Sequence, residues 1–444
     1  MNPQTQLSLA LPDDTAAPKS RRGLRVLHTS DWHLGRALYG RRRDAEFEAL
    51  MRWMVQTVQR ESIDVVIVAG DVFDTTTPGV RAQTLYYEFL VQMHRSCCRH
   101  VVIVGGNHDS SLFLQAPAAL LRPLGVHVVG HACEDLSDQV LLLRDHQGEP
   151  ELIVCAVPYL RDRDVRGAVQ GADLQAREEA LVNGIRQHYA TLADLTRSTL
   201  QGLSHPVPVV ATGHLYAAGS QLREGEGVRD LYIGTLGQVH ASVFDPIFDY
   251  VALGHLHISQ RVGQQDRIRY SGAPLSMGFG EANQQKSVFV IQFEAQARNQ
   301  HEGFDFEIQA VVVPVFQKLM QVRGDLPHIL ETLRTLQDDG TSCWVEVLYD
   351  SPEIVGDLRE QINQRVADSC VDVLRIRLAP RFLEQGQTGV VEVDLQDLTP
   401  DEVFEQCLQA HQIPLTQQPI LRESFQAVMT RMHQESKQEE APLA

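Results

Sequence analysis

No run of about 18 apolar residues occurs in this 444-residue chain, which excludes a membrane-spanning helix. Its first residues carry no charged segment leading into a long apolar one. A secretory leader is therefore not expected, and the cytoplasm is the expected compartment. Cysteine is sparse: seven residues, odd in number, scattered, and never spaced Cys-x-x-Cys. Such thiols suit a reducing compartment and buried packing, not disulfides or a thiolate zinc site. An excess of basic charge is missing too. Lys and Arg number 39 against 57 Asp and Glu, and the resulting net charge of −18 argues against coating nucleic acid by bulk charge. A nuclease stays open, because metal ions and local basic stripes can supply a positive field. No Gly-x-x-x-x-Gly-Lys-Ser/Thr is present, so ATP is not expected to bind this chain. No internal repeat of fixed period is visible.

What is present is one pattern met five times. Val101-Val102-Ile103-Val104 is a continuous apolar run, read as a strand buried on both faces, and it ends in Gly105-Gly106-Asn107-His108-Asp109. In the same way Leu24–Ser30 leads to Asp31-x-His33, and Asp64–Ala69 leads to Gly70-Asp71-x-x-Asp74. Val207–Thr212 leads to Gly213-His214, and Tyr250–Leu253 to Gly254-His255-x-His257. Apolar spacing predicts helices over Phe47–Val58 and Val80–Arg95, and strand–helix–strand order implies right-handed crossovers and a mainly parallel sheet. Parallel strands would carry all five clusters to one carboxyl edge, where open α/β sheets bind ligands. Alternation would point both members of Asp31-x-His33, and of His255-x-His257, to one side.

The donors are carboxylates, imidazoles and one amide oxygen, a set that suits Mn²⁺, Mg²⁺ or Fe²⁺ better than structural Zn²⁺. They exceed what one octahedral ion needs, so two ions sharing a bridging carboxylate are expected. Such a pair can hold a phosphate and lower the pKa of a shared water. Taken singly, each histidine reads as a packing or capping residue, and Asp31 or Asp71 as a helix N-cap. Five clusters in register do not.

Residues 1–22 read as a flexible tail. Within it Gln6-Leu7-Ser8-Leu9-Ala10-Leu11 alternates apolar residues, a form that can dock in a groove. It resembles the Gln-Leu-x-Leu-x-Leu peptide by which bacterial proteins bind the sliding clamp of DNA replication; an inert tail is the alternative. A main domain over 23–300 includes further strands at Val126–Val129, Leu152–Val157, Arg267–Tyr270 and Ser287–Phe293. Residues 161–205 read as a helical excursion over its surface. A small α+β domain is expected over 305–384: strand Ile308–Val313, helix Pro327–Leu336, strand Trp344–Leu348, helix Ile354–Val366 and strand Val371–Leu378. Residues 385–435 follow as a linker and two amphipathic helices, and 436–444 as a loose acidic tail.

The strand-end motifs resemble those of calcineurin-like metallophosphoesterases: Asp-x-His, Gly-Asp-x-x-Asp, Gly-Asn-His-Asp/Glu, Gly-His and Gly-His-x-His. More narrowly, His28-Thr29-Ser30-Asp31-Trp32-His33-Leu34-Gly35, Gly70-Asp71-Val72-Phe73-Asp74, Ala211-Thr212-Gly213-His214 and Ala252-Leu253-Gly254-His255-Leu256-His257 are similar to the bacterial SbcD nuclease subunits, over about residues 24–435. The resemblance implies an α/β fold, a β-sandwich flanked by helices, with a small capping domain that helps place DNA and C-terminal helices. It implies two Mn²⁺, with Mg²⁺ or Fe²⁺ as alternatives. One ion would sit on Asp31, His33, Asp71 and His257, the other on Asp71, Asn107, His214 and His255. His108 would face the scissile phosphate, and Asp74 would be the carboxylate that orients and charges it. Some relatives in the nuclease branch carry a histidine where Asp74 stands, which leaves those two roles open.

Arg36, Arg41, Arg42 and Arg43 would track DNA phosphates or else form a solvated loop, and Arg375, Arg377 and Arg381 present the same choice. Val403, Phe404, Leu408, Leu421, Phe425 and Val428 would form an apolar stripe for the coiled coil of SbcC, an ATPase of the structural-maintenance-of-chromosomes type, or would pack back on the core. A homodimer through helices near Tyr86–Gln92 and Leu112–Leu121, inside an SbcC2–SbcD2 heterotetramer at the nucleoid, also follows from the resemblance. So does the activity: an ATP-regulated 3′→5′ exonuclease on double strands and endonuclease on single strands and hairpins, in DNA repair and recombination. The core motifs alone would serve a phosphatase or small-molecule phosphodiesterase. An assembly platform is a further alternative, disfavoured by complete ligand sets and by a histidine that is not a ligand.

Overall fold

The computed structural model describes residues 23–165, 174–217, 239–297, 303–353, 355–378, 404, 408, 417–422 and 424–426. Two compact units divide the chain, the first ending at Phe316 and the second beginning at Gln317. No helix among the described residues is long and apolar enough to cross a membrane.

The first unit is built on two six-stranded sheets. β1 (Arg25–Thr29) is followed by the short hairpin β2 (Ala37–Leu38) and β3 (Arg41–Arg42). Helix α1 (Asp44–Arg60) then crosses to β4 (Val65–Ala69), and α2 (Val80–His94) crosses to β5 (His100–Val104). The short α3 (Ser111–Gln115) and α4 (Ala118–Leu121) lead to β6 (Val126–Val129). These four long strands are parallel neighbours in the order β1-β4-β5-β6. α1 turns Phe47, Leu50, Met51, Met54 and Val58 inward, the spacing of one helical face.

In the second sheet β7 (Val140–Arg144) pairs antiparallel with β8 (Pro150–Cys155). After α5 (Asp162–Val165) and α6 (Leu174–Gln201) come β9 (Val209–His214), β10 (Tyr250–Gly254), β11 (Gln260–Val262) and β12 (Gln265–Tyr270), in the sheet order β11-β12-β10-β9-β8-β7. α6 is not a surface excursion. Leu181, Ile185, Tyr189, Leu192 and Ala193 recur at helical spacing and are buried in one core with Ile153, Cys155, Val209 and Ala211. The polar residues between them conceal that stripe in the composition.

Between the sheets, Val26, Val65, Ile67, Val102 and Val104 share a core with Leu152, Val154, Val210, Tyr250 and Ala252. Each sheet thus has a sheet on one face and helices on the other. This is why its central strands are apolar without alternation. The first sheet is completed by β13 (Ser287–Ala297), antiparallel to β1, and β14 (Phe304–Val312), antiparallel to β13. β14 contains the strand expected in the small domain. Phe304, Phe306 and Ile308 alternate onto one side and pack against the core that holds Tyr250 and Phe293, which ties the segment to the sandwich.

The second unit comprises β15 (Lys318–Gly324), α7 (Leu326–Asp338), β16 (Cys343–Tyr349), α8 (Leu358–Val366) and β17 (Val371–Leu378), with its three strands parallel in that order. Asp325 caps α7 by accepting from the His328 N–H at 3.0 Å, with Pro327 in the first turn. Arg375 and Arg377 both reach the buried Glu346, at 3.3 and 3.2 Å, and stay partly exposed. Arg381 and Ile354 lie outside the described residues. Of the terminal stripe, Leu408 is buried, Leu421 is half-buried, and the rings of Phe404 and Phe425 stack at 4.2 Å. Val403 and Val428, like Gln6, Leu7, Leu9 and Leu11 of the tail, lie outside the described residues.

Three histidines are kept neutral mainly by burial, which pushes His28 down to about 3 and His127 and His188 down to about 4. The unfolded chain takes up these protons near the ordinary value of about 6.5 while the native chain does not. Stability is therefore fully present above that value and lost as pH falls below it, by up to ~1.4 kcal/mol per pH unit for each histidine. Urea unfolding in chelator should show a midpoint falling between pH 7 and 5, and a flat profile would contradict this reading of the three sites.

Candidate metal centre

The five clusters do converge, but from two sheets rather than one edge. β1, β4 and β5 bring Asp31-x-His33, Asp71 and Asn107-His108, while β9 and β10 bring His214 and His255-x-His257. The strand ends meet as closely as backbone allows. A Cβ on Gly106 would lie 2.1 Å from Asp71 Oδ1, and one on Gly254 would lie 2.0 Å from the Ala69 carbonyl oxygen. The Ala69 oxygen belongs to the main chain and cannot swing aside. Gly254→Ala is therefore expected to cost ~1–3 kcal/mol by chemical denaturation and to weaken metal uptake. A variant matching the parent in both measurements would show that the sheets need not approach so closely.

Strand alternation is not what puts Asp31 and His33 together. Both have left the strand with left-handed φ of 52° and 48°, as has Asp71 at 50°. Main-chain bonds fix the turn: Asp31 N donates to Gly70 O at 3.0 Å and His33 N to Asp71 O at 3.0 Å. Trp32 between them is buried in the core and donates from Nε1 to Thr29 Oγ1 at 3.0 Å. Asp109 joins the neighbouring loops, its carboxylate accepting from the Val72, Phe73 and Gly106 amides at 2.9–3.1 Å. Burial, reinforced by the charge of Asp71, pushes the Asp109 carboxyl up to about 6.

Asp71 is the centre of the cluster. Its Oδ2 lies 3.6 Å from His33 Nε2 and 3.3 Å from His214 Nε2, and its Oδ1 accepts from the His108 amide at 2.9 Å. Burial opposes ionisation of Asp71, but His214 and then His33 outweigh it and hold the carboxyl below the usual range. Asn107 Oδ1 is 2.9 Å from His214 Nε2 and 3.1 Å from His255 Nδ1. Asp31 accepts from the His255 amide at 3.0 Å and from Ser30 Oγ at 2.5 Å. Two groups of buried donor atoms that could hold a cation are Asp31, His33 and His257, and Asp31, Asp71 and His214, the atoms of each lying within 4.8 Å of one another. His33, Asp74 and His108 form a third, more open group of the same span.

The donors fit a cation for a further reason. His33 Nε2 and His257 Nε2 face each other at 3.2 Å, while His33 Nδ1 is 3.3 Å from Asp74 Oδ1 and His257 Nδ1 is 3.3 Å from Glu281 Oε1. His33 Nδ1 makes no hydrogen bond despite lying this close to Asp74. Where each ring carries its proton on Nδ1, the facing Nε2 atoms are two lone pairs that a positive ion between them satisfies.

The expected pairing of the Asp74 carboxylate with His108 does not form. His108 Nδ1 instead donates to the main-chain carbonyl of Asp74 at 3.0 Å, and the Asp74 carboxylate serves His33 and, at 3.0 Å, Arg36 Nη1. The His108 ring stands edge-on to His33, centroids 4.8 Å apart. Among the arginines expected on DNA, Arg43 is buried, holds Glu46 through two bonds of 2.7 and 2.9 Å, and lies over the Phe47 ring. It anchors the start of α1 and is corrected from that role. Arg36 is tied to Asp74, Arg42 pairs with Asp44 at 2.5 Å, and Arg41 is exposed on β3. Sequence reasoning missed Glu281 and Lys286, single charges in the polar loop that precedes β13, where neither belongs to a motif at the end of a strand.

The calcineurin-like phosphoesterase family matches residues 24–259, and the type 5 capsule protein repressor C-terminal domain matches residues 315–412. Fold and site together define a calcineurin-like metallophosphoesterase, a metal-dependent hydrolase. The SbcD subunit of nuclease SbcCD from Escherichia coli (strain K12) is 33% identical over 411 residues, 90% of this chain and 97% of its own. Its counterpart in Rhodobacter capsulatus is 32% identical over 399 residues (86% and 93%), and that in Bacillus subtilis (strain 168) 31% over 270 (60% and 66%). This chain belongs to the SbcD family of nuclease subunits.

Proposed function

We propose that the chain is the nuclease subunit of a complex with SbcC and hydrolyses DNA phosphodiester bonds at a pair of Mn²⁺ ions. The observation that carries this reading is the gathering of six further donor residues around Asp71, with the His108 imidazole beside them and anchored to main chain. Asp31, His33, Asp71 and His257 would hold one ion, and Asp71, Asn107, His214 and His255 the other, with Asp71 shared. When bound, the ions neutralise charge on a phosphate and make a nearby water acidic.

The remaining work falls to the chain. Left-handed turns at Asp31, His33 and Asp71 fix the ligands before substrate arrives. His108, held at Nδ1 by the Asp74 carbonyl, has Nε2 for a phosphate oxygen or for protonating the leaving oxygen. The Asp74 carboxylate acts through His33 and Arg36, and only its main-chain carbonyl reaches His108.

DNA as substrate and SbcC as partner are supported by the names of the relatives. ATP-regulated 3′→5′ exonuclease action on double strands and cutting of single strands and hairpins follow the same resemblance. So do homodimerisation inside an SbcC2–SbcD2 assembly at the nucleoid, placing of DNA by the domain after Phe316, and docking of the 385–435 segment on SbcC. Clamp binding through Gln6–Leu11 rests on the peptide pattern alone. A labelled DNA hairpin incubated with Mn²⁺, with and without SbcC and ATP, tests the reading. Mn²⁺-dependent cutting supports it. Intact DNA under every condition, with a small phosphodiester hydrolysed, would make the protein a small-molecule phosphodiesterase.

A further inference from the structure

Behind the His257 imidazole lies a carboxylate for which the two-ion reading has no role. Glu281 ends the short turn Phe279–Glu281 between β12 and β13, and its side chain is 0% exposed. Its Oε1 is 3.3 Å from His257 Nδ1, while its Oε2 accepts from Lys286 Nζ at 2.6 Å and from the Met277 amide at 3.0 Å. Lys286 also donates to the His257 carbonyl at 3.2 Å and to Gln284 Oε1 at 3.0 Å. A carboxylate so deeply buried persists as an anion only when paired and hydrogen-bonded, and Lys286 supplies the pairing.

We propose that Glu281 is a positioning residue for the ion held by Asp31, His33 and His257. It accepts the Nδ1 proton of His257, fixes the ring and its tautomer, and makes the Nε2 lone pair a stronger donor. The inference rests on the two-ion reading above. Contrast within the site supports it. Both imidazoles of this ion are backed by carboxylates, His33 by Asp74 and His257 by Glu281, whereas His214 is backed by the neutral carbonyl of Ala69 at 2.9 Å. Glu281 therefore acts on one ion of the pair.

A merely structural Glu281 would anchor its loop through Met277 and Lys286 with no link to His257 chemistry, and a double-mutant cycle separates the two roles. Calorimetric titration of the full chain with Mn²⁺ should show Glu281→Gln weakening one of two binding steps about 10–100-fold and leaving the other unchanged. In a His257→Ala background the same substitution should add no further loss. An isotherm superimposing on the parent, or equal weakening in both backgrounds, overturns the inference. Should Glu281→Gln not fold, Glu281→Asp carries the test. It withdraws the charge by one methylene and should weaken the same step by a smaller factor, while a parent-like isotherm for it overturns the inference equally. A parent that takes up a single Mn²⁺ would instead overturn the two-ion reading, and this inference with it.

Discussion

Asp71→Ala is expected to lose both metal ions and reduce DNA cleavage to background. The Asp71 carboxylate stands between the two halves of the site: its Oδ2 lies 3.6 Å from His33 Nε2 and 3.3 Å from His214 Nε2. Its second oxygen holds the His108 amide at 2.9 Å, so truncation also releases the loop that carries Asn107. The asparagine variant separates these effects. Asp71→Asn retains an acceptor for the His108 amide but lacks the negative charge two cations would share, and it too should fail to bind the pair. Titration with Mn²⁺ is the check. Two ions bound by Asp71→Ala would remove Asp71 from the bridging position.

His108→Ala should do the opposite: bind both ions as the parent does and lose about 10²–10⁴-fold in cleavage, the usual range for removing a proton-transfer group. Asp74→Ala separates the two residues. Because the Asp74 carboxylate lies against His33 Nδ1 and Arg36, with only its main-chain carbonyl on His108, that variant should weaken metal uptake as well as cleavage. Parallel titrations and single-turnover cleavage of a hairpin distinguish the pair. Metal uptake in Asp74→Ala equal to that in His108→Ala would mean that the His33 contact does not matter.

Much of this was legible in the chain, and the parts that were not have physical causes. Val65–Ala69 is apolar at every position because a sheet lies on one face and helices on the other. Continuity of that kind announces a strand but not which of two sheets it joins, so the five clusters read as one edge. β14 was separated from its sheet because a polar linker precedes it, although its Phe304-x-Phe306-x-Ile308 alternation faces the sandwich core. α6 shows the same limit for helices: five inward residues among many polar ones look like a surface segment until the packing is known.

At the site, residue types and strand-end positions were enough to name the side chains that the fold gathers around Asp71, since metal chemistry favours both. Orientation was not visible. Whether the Asp74 carboxylate meets His33 or His108 depends on left-handed turns at Asp31, His33 and Asp71, which none of these residue types demands. Glu281 was silent for a related reason: a lone acid in a loop acquires its role only when folding buries it against His257.

The central claim, that Asp71 is shared by two cations in one bowl, is tested most directly by electron paramagnetic resonance of the protein loaded stepwise with Mn²⁺. A carboxylate bridge couples the spins, so the expected result is a multiline exchange-coupled signal as the second equivalent binds. The hyperfine pattern of isolated Mn²⁺ persisting at full loading would contradict it.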